Sequence, residues 1–405
     1  LISHEKVLGI SDFAEFTNKN MPLWVTASCD IMPFDNGEAT IGETALLNSK
    51  GGRMALYGTT RTVYASYNTT LNSAFMKHVL TYEADGKPIA LGEAVRRAKN
   101  DMNGQTVAEN SLQYSLLGDP ALRLHLPTAQ IVIDSINGVD ITKAGATVAM
   151  KAGSLATVKG HIADNADFNG TVSLTVRDNL ETITCRLNQP KEAENPFEYT
   201  DRTKTIFSGD DRISGGRFSV SFAVPKDINY SDQSGLINAF AINDDHTLTA
   251  HGYTDKFIVG GSDIAQNDSV GPSIYCYLNS PSFSNGDRVN STPYFVAEVK
   301  DKDGINASGA GIGHDMQLII DGKMERTYSL NENFQYDFGS YTSGSTYYNI
   351  PQLEEGPHKL QFRAWDILNN YSTAELTFNV VTGQKPSFSI GCTNNPARES
   401  TTFII

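Results

Sequence analysis

The chain has 405 residues, with 32 Lys plus Arg against 46 Asp plus Glu and a formal net charge of −14. That acidity leaves no basic stripe to neutralise phosphates, which excludes nucleic-acid binding, and no apolar run reaches the roughly 18 residues a membrane-spanning helix needs. The length implies roughly two to four domains, and cysteines scattered at 29, 185, 276 and 392 argue against a disulfide framework.

The first clear element is Met21-Pro-Leu-Trp-Val-Thr-Ala-Ser28, a short apolar, β-branched run that reads as a buried parallel strand. Cys29 closes it. Open α/β sheets gather their chemistry at strand carboxyl ends, where a thiol is exposed enough to react and near main-chain N–H groups able to stabilise an oxyanion. The competing reading is a buried cysteine used as a small hydrophobe. A turn-rich loop from Asp30 to Ala39 follows, then a helix near Glu38 to Ser49 and a strand from Arg53 to Gly58. A helix from about Leu71 to Glu83 places Phe75, Val79 and Leu80 on one face, and another from Leu91 to Met102 repeats Ala94, Val95 and Ala98 at helical spacing. Strands alternating with helices imply a parallel or mixed sheet flanked by helices. His78, on the first of these surface helices, reads as a solvated or capping residue.

From Pro127 onward the helical period disappears. Runs such as Gly170-Thr-Val-Ser-Leu-Thr-Val-Arg177 and Gly216-Arg-Phe-Ser-Val-Ser-Phe-Ala-Val224 alternate apolar with polar residues between turn signals, which predicts an antiparallel β-sandwich over 127–262. A second sandwich is expected over 263–381, joined through the polar stretch Asp263 to Gly271 and free to pivot on modest contacts. Cys185 and Cys276 read as strand-core residues, and Trp365 as a core anchor. Asp301-Lys-Asp-Gly-Ile305 has too few oxygen ligands for a calcium loop and reads as a turn between strands. No metal ligand set and no cofactor motif is found.

The stretch from Trp24 to Tyr64 resembles the gingipain-type cysteine peptidases, family C25, and within them the sortases of type IX secretion. The resemblance rests on Ala27-Ser28-Cys29, Gly42-Glu43, Gly51-Gly52 and Met54-Ala-Leu-Tyr57, with Tyr114-Ser-Leu-Leu-Gly-Asp-Pro-Ala-Leu122 about 90 residues farther on. It implies that residues 1–126 are the carboxyl-terminal part of a caspase-like α/β peptidase domain with Cys29 as nucleophile. The two sandwiches would then be immunoglobulin-like modules, and 382–405, with Asn394-Asn395-Pro396, the start of a type IX carboxyl-terminal domain. The family's catalytic histidine belongs to a His-Gly pair some thirty residues before the cysteine, which falls upstream of Leu1. His4, followed by Glu5 instead of glycine, is the alternative base or an ordinary loop histidine. The chain is therefore expected to be a piece of a longer protein.

By position, Thr59, Thr60 and Tyr64 are candidates to line the pocket for the residue before the scissile bond, the competing reading being a polar strand-to-helix loop. Arg61 there would disfavour basic substrate side chains. The resemblance further implies cleavage of carboxyl-terminal sorting signals from secreted cargo at the surface of a Gram-negative bacterium. Transfer of the acyl group to lipopolysaccharide would follow, with outer-membrane secretion proteins as partners. A gingipain-like protease of broad specificity and a non-catalytic surface adhesion or scaffold protein are the alternatives. Because positioned proton transfer contributes some 10²–10⁴-fold, a polypeptide beginning at Leu1 should turn over peptides at least about 10²-fold more slowly than one carrying its upstream histidine. Efficient turnover in a peptidase assay would instead make His4 the base.

Overall fold

The computed structural model describes residues 9–382 except 36, 103–107, 144, 186–195, 264–267 and 310–312, together with a short strand pair at Gly391–Cys392 and Phe403–Ile404. Most of the segment 382–405 and the whole of His4 thus lie outside the described residues. The chain divides into two compact units, Leu1–Thr128 and Ala129–Ile405. Among the described residues no helix is long and apolar enough to cross a membrane.

The first unit is built on a three-stranded sheet, β1 (Leu23–Val25), β2 (Ala55–Thr59) and β3 (Tyr114–Leu117), in that order. β1 runs parallel to β2 and β3 antiparallel to it, so the sheet is mixed. β2 is buried at every residue because both faces of the sheet are covered. On one face Tyr57 stacks on Phe75 at 4.2 Å and meets Tyr114 at 5.1 Å, in a core with Leu71, Val79 and Leu91. These come from the helices α3 (Ala65–Val79) and α4 (Leu91–Asp101). The opposite face packs Leu56 against Ile31 and Met32, with Ile41 of helix α2 (Ile41–Leu47) beside them. Two further helices, α1 (Ile10–Ala14) and α5 (Ala108–Gln113), are short.

The sequence reading needs four corrections here. β1 is three residues long, Leu23–Val25, and ends before Cys29, where the sequence reading ran it from Met21 to Ser28. α2 starts at Ile41, not near Glu38, because Thr40 caps it: the Thr40 hydroxyl accepts the Glu43 N–H and the Glu43 carboxylate accepts the Thr40 N–H. α3 starts at Ala65, six residues before the expected start, and Leu80 lies past its end, 54% exposed instead of on the buried face. His78 pairs with Asp101 at 2.7 Å. Cys185 sits beyond the strand Glu181–Thr184 and is half-buried, whereas Cys276 is buried within its strand and burial pushes its thiol up to about 11.

The second unit holds two hydrophobic cores. The first is formed largely by a long sheet that includes β4 (Ala129–Ile136). Its other main strands are β5 (Leu155–Ile162), β6 (Gly170–Arg177), β7 (Thr205–Ile213), β8 (Arg217–Ala223), β9 (Leu236–Asn243) and β10 (Thr249–Thr254). They follow the order β7-β6-β9-β10-β4-β5-β8, with the β10–β4 pair parallel and the rest antiparallel. The second core lies between two separate sheets. One contains β11 (Ser273–Leu278), β12 (Tyr294–Lys300) and β14 (Ser343–Asn349), and the other β13 (Gln317–Ile320), β15 (Gly356–Trp365) and β16 (Tyr371–Val380). Phe295 of β12 meets Phe362 of β15 across it, with ring centroids 5.3 Å apart.

Trp365 is 8% exposed and lies against the His314 ring at 4.3 Å and the Tyr371 ring at 4.9 Å. The 301–305 segment is a turn in which Asp301 Oδ1 accepts the Asp303 N–H, while the Lys302 ammonium pairs with Asp268 at 3.0 Å. Burial, with Asp366 and Asp303 adding like charge, raises the Asp301 carboxyl to about 6.

Direct contacts join the two cores in addition to the polar stretch between them. Ala223 packs with Ile367, Leu368 and Tyr341, and the Lys226 N–H donates to the Ile367 carbonyl at 2.9 Å. Beside that contact Asp227 accepts hydrogen bonds from His314 Nδ1 at 2.7 Å, Asn306 Nδ2 at 3.0 Å and Asn369 Nδ2 at 2.9 Å. Removing one buried acceptor strands several donors, and each unsatisfied polar group costs about 1–3 kcal/mol. Asp227→Ala should therefore destabilise this unit by about 3 kcal/mol and separate the melting of its two cores in scanning calorimetry. An unchanged single transition would show that the apolar contact suffices.

Candidate active site

Cys29 does not sit on the strand. Thr26, Ala27 and Ser28 lie between it and the end of β1, and among the described residues their carbonyls have no strand partner. Side chains from three other elements supply the donors. The Thr26 carbonyl accepts Tyr114 Oη at 3.2 Å and Asn72 Nδ2 at 3.4 Å; the Ala27 carbonyl accepts Asn68 Nδ2 at 3.1 Å; the Ser28 carbonyl accepts the Thr59 hydroxyl at 2.5 Å. The segment carrying the thiol is thus tied down at three consecutive residues. Beyond it Asp30 adopts φ of 50°, the left-handed region, which turns the chain back over β2. There the Asp30 N–H donates to the Arg61 carbonyl at 3.3 Å and the Asp30 carboxylate accepts the Thr62 hydroxyl at 3.0 Å.

The Cys29 side chain is half-buried. Its Sγ lies 3.4 Å from the Val63 nitrogen and 3.5 Å from the Val63 oxygen, so one peptide segment offers the thiol both a donor and an acceptor. The next residue, Tyr64, is held by Asn110, whose Oδ1 accepts the Tyr64 N–H at 3.0 Å and whose Nδ2 donates to the Tyr64 carbonyl at 2.9 Å. Tyr114 lies close to Cys29, and burial pushes its phenol up to about 12.

The other candidates divide into two groups. Thr59 and Thr60 are buried, and the Thr60 hydroxyl is given to the Gln113 carbonyl at 3.1 Å, so this pair supports the loop from behind. Tyr64, 60% exposed, faces solvent at the start of α3 with Tyr67 edge-on to it at 5.7 Å. Arg61 pairs with Asp35 at 2.5 Å, and that bond holds the Asp35 carboxyl below its ordinary range. Sequence reasoning missed Asn68, Asn72 and Asn110. The signal was present in part: Asn68 and Asn72 are four apart on α3, two amides on the face that also carries Leu71 and Phe75 into the core.

Residues 1–125 match the model of peptidase family C25. The C25 match covers the whole sheet, the Cys29 loop and the asparagine cluster, and it gives this unit a cysteine-peptidase type of fold. Among solved structures, dimeric latent PorU from Porphyromonas gingivalis is 32% identical over 86% of this chain and 33% of its own, with a TM-score of 0.43. The complex of RgpB pro- and mature domains from the same organism is 11% identical over 62% of this chain and 49% of its own, with a TM-score of 0.28. The chain therefore spans about a third of the PorU chain and about half of the RgpB one. The comparison with curated proteins returns no match.

Loss of one net hydrogen bond costs about 1 kcal/mol, so Thr59→Val should lower the stability of the C25 unit by about that amount in denaturant titration. Tyr64→Ala, at an exposed position, should change it by less than about 0.5 kcal/mol. Equal losses for the two would show that Tyr64 is packed in solution.

Proposed function

We propose that the C25 unit is the nucleophilic part of a caspase-like cysteine peptidase that processes the carboxyl-terminal sorting signals of type IX secretion cargo. What carries this reading is Cys29 itself: a half-exposed thiol past a strand end, on a segment tied at three carbonyls, inside the stretch that matches family C25. The Cys29 thiolate attacks the scissile carbonyl carbon and an S–C bond forms. The C–N bond then breaks as the leaving amine takes a proton from a histidinium, and the thioester remains. That histidine lies outside the described residues, upstream of Leu1 by the family resemblance, with His4 the alternative. Water, or an amine on surface lipopolysaccharide, then attacks the thioester carbonyl and restores the thiolate. The immunoglobulin-like sandwiches of the second unit hold the peptidase at the outer membrane against the secretion machinery.

One observation favours the second reading, a gingipain-like protease of broad specificity. Arg61 spends its charge on Asp35 and does not present a free guanidinium to repel basic substrate side chains. The deciding experiment takes the protein with its native upstream sequence and offers it a cargo protein bearing a sorting domain, an amine acceptor, and casein. The sortase reading expects cargo cleavage with amine incorporation, casein left intact, and at least about a 10³-fold loss of turnover in Cys29→Ala. Comparable casein digestion would favour the gingipain-like protease. Cleavage of neither substrate, unaltered in Cys29→Ala, would leave a scaffold protein.

A further inference from the structure

We propose that the main-chain N–H of Val63 is the donor that holds Cys29 Sγ as a thiolate, and that Asn110 is the positioning residue that keeps it in place. The inference rests on Cys29 being the nucleophile. As a thiol, Sγ–H donates to the Val63 carbonyl, 3.5 Å away. Once the proton has gone to the base, the Val63 N–H, 3.4 Å from Sγ, is the contact that strengthens, because hydrogen bonds to an ion are about twice as strong as those between neutral groups.

The donor is placed by a closed ring of hydrogen bonds. Asn110, 1% exposed, grips Tyr64 through both its N–H and its C=O, and its Nδ2 also donates to Asn68 Oδ1 at 3.0 Å. Asn68 Nδ2 in turn donates to the carbonyl of Ala27, two residues before Cys29. The ring thus runs from the thiol-bearing segment through α3 and α5 to the peptide that faces the sulfur. The Val63 side chain, buried with Tyr57 and Leu71, anchors that peptide from the core side. Of the titratable groups nearby, Tyr114 donates to Thr26 and Asp30 is occupied by Thr62, so neither replaces the Val63 donor. Asn110 fixes the peptide that carries the Val63 carbonyl and the Tyr64 N–H, one unit beyond the Val63 N–H; without it the ring opens at Tyr64, and the stretch that presents Val63 to the sulfur loses its anchor on α5.

The test is the rate of Cys29 alkylation by iodoacetamide between pH 6 and 10, resolved from the other cysteines by mass spectrometry of the full chain. Asn110→Ala should alkylate about tenfold more slowly than the wild type at pH 7 and within about twofold of it at pH 10, above the ordinary range for cysteine thiols. Equal rates at pH 7, or slowing by the same factor at every pH, would overturn the proposal, the latter because it reports access alone. A measurement free of substitutions covers a misfolded variant: in the wild type the Val63 amide resonance should shift in step with the alkylation curve, and an amide that ignores it overturns the proposal. Neither readout needs peptide turnover. A failure here alongside intact cargo cleavage removes the Val63 assignment and leaves the nucleophile reading standing.

Discussion

A main chain that leaves a sheet edge must find donors for its carbonyls, and the C25 unit meets that need by spending side chains. Thr26, Ala27 and Ser28 run past the end of β1 with their oxygens turned to Tyr114, Asn72, Asn68 and Thr59. The donors come from β2 itself and from β3 and α3, which pack on it, so the position of Cys29 is set by the same core that holds the sheet. Tyr57, stacked on Phe75 and tilted against Tyr114, keeps α3 and β3 at the distance these hydrogen bonds require.

The second unit solves a different problem. Its two β-cores are joined by the Tyr336 ring, which packs against both, by an apolar contact between Ala223 and Ile367–Leu368, and by a largely buried carboxylate beside that contact. Asp227 serves as acceptor for three donors from the other core, an arrangement that specifies orientation as well as adhesion because all three must converge on one side chain.

Much of this was legible in the chain. β5 and β6 alternate buried and exposed residues along their length, which is the pattern that marked them as strands. The apolar Leu-Trp-Val run located β1 and with it the cysteine. What stayed hidden depends on tertiary partners. α3 begins with Ala-Ser-Tyr-Asn-Thr-Thr, which carries no apolar period, so its first turns read as loop although Asn68 is buried there. The parallel join of β10 to β4 links residues more than a hundred positions apart and leaves no local trace. Asn110 lies on a single-turn helix that polar composition hides, and its role exists only once Tyr64 is folded against it.

The turn at Asp301 gives the second unit an unusual response to acid. Its carboxyl ionises near pH 6, above the ordinary Asp value of 3.8, because it is partly withdrawn from water beside Asp303 and Asp366. A group raised on folding favours the folded state fully below its unfolded pKa and loses that advantage as pH climbs through its folded one. Between about pH 4 and 6, then, folding at this corner takes up a proton, and mild acidification tightens it where most carboxylates would loosen their surroundings.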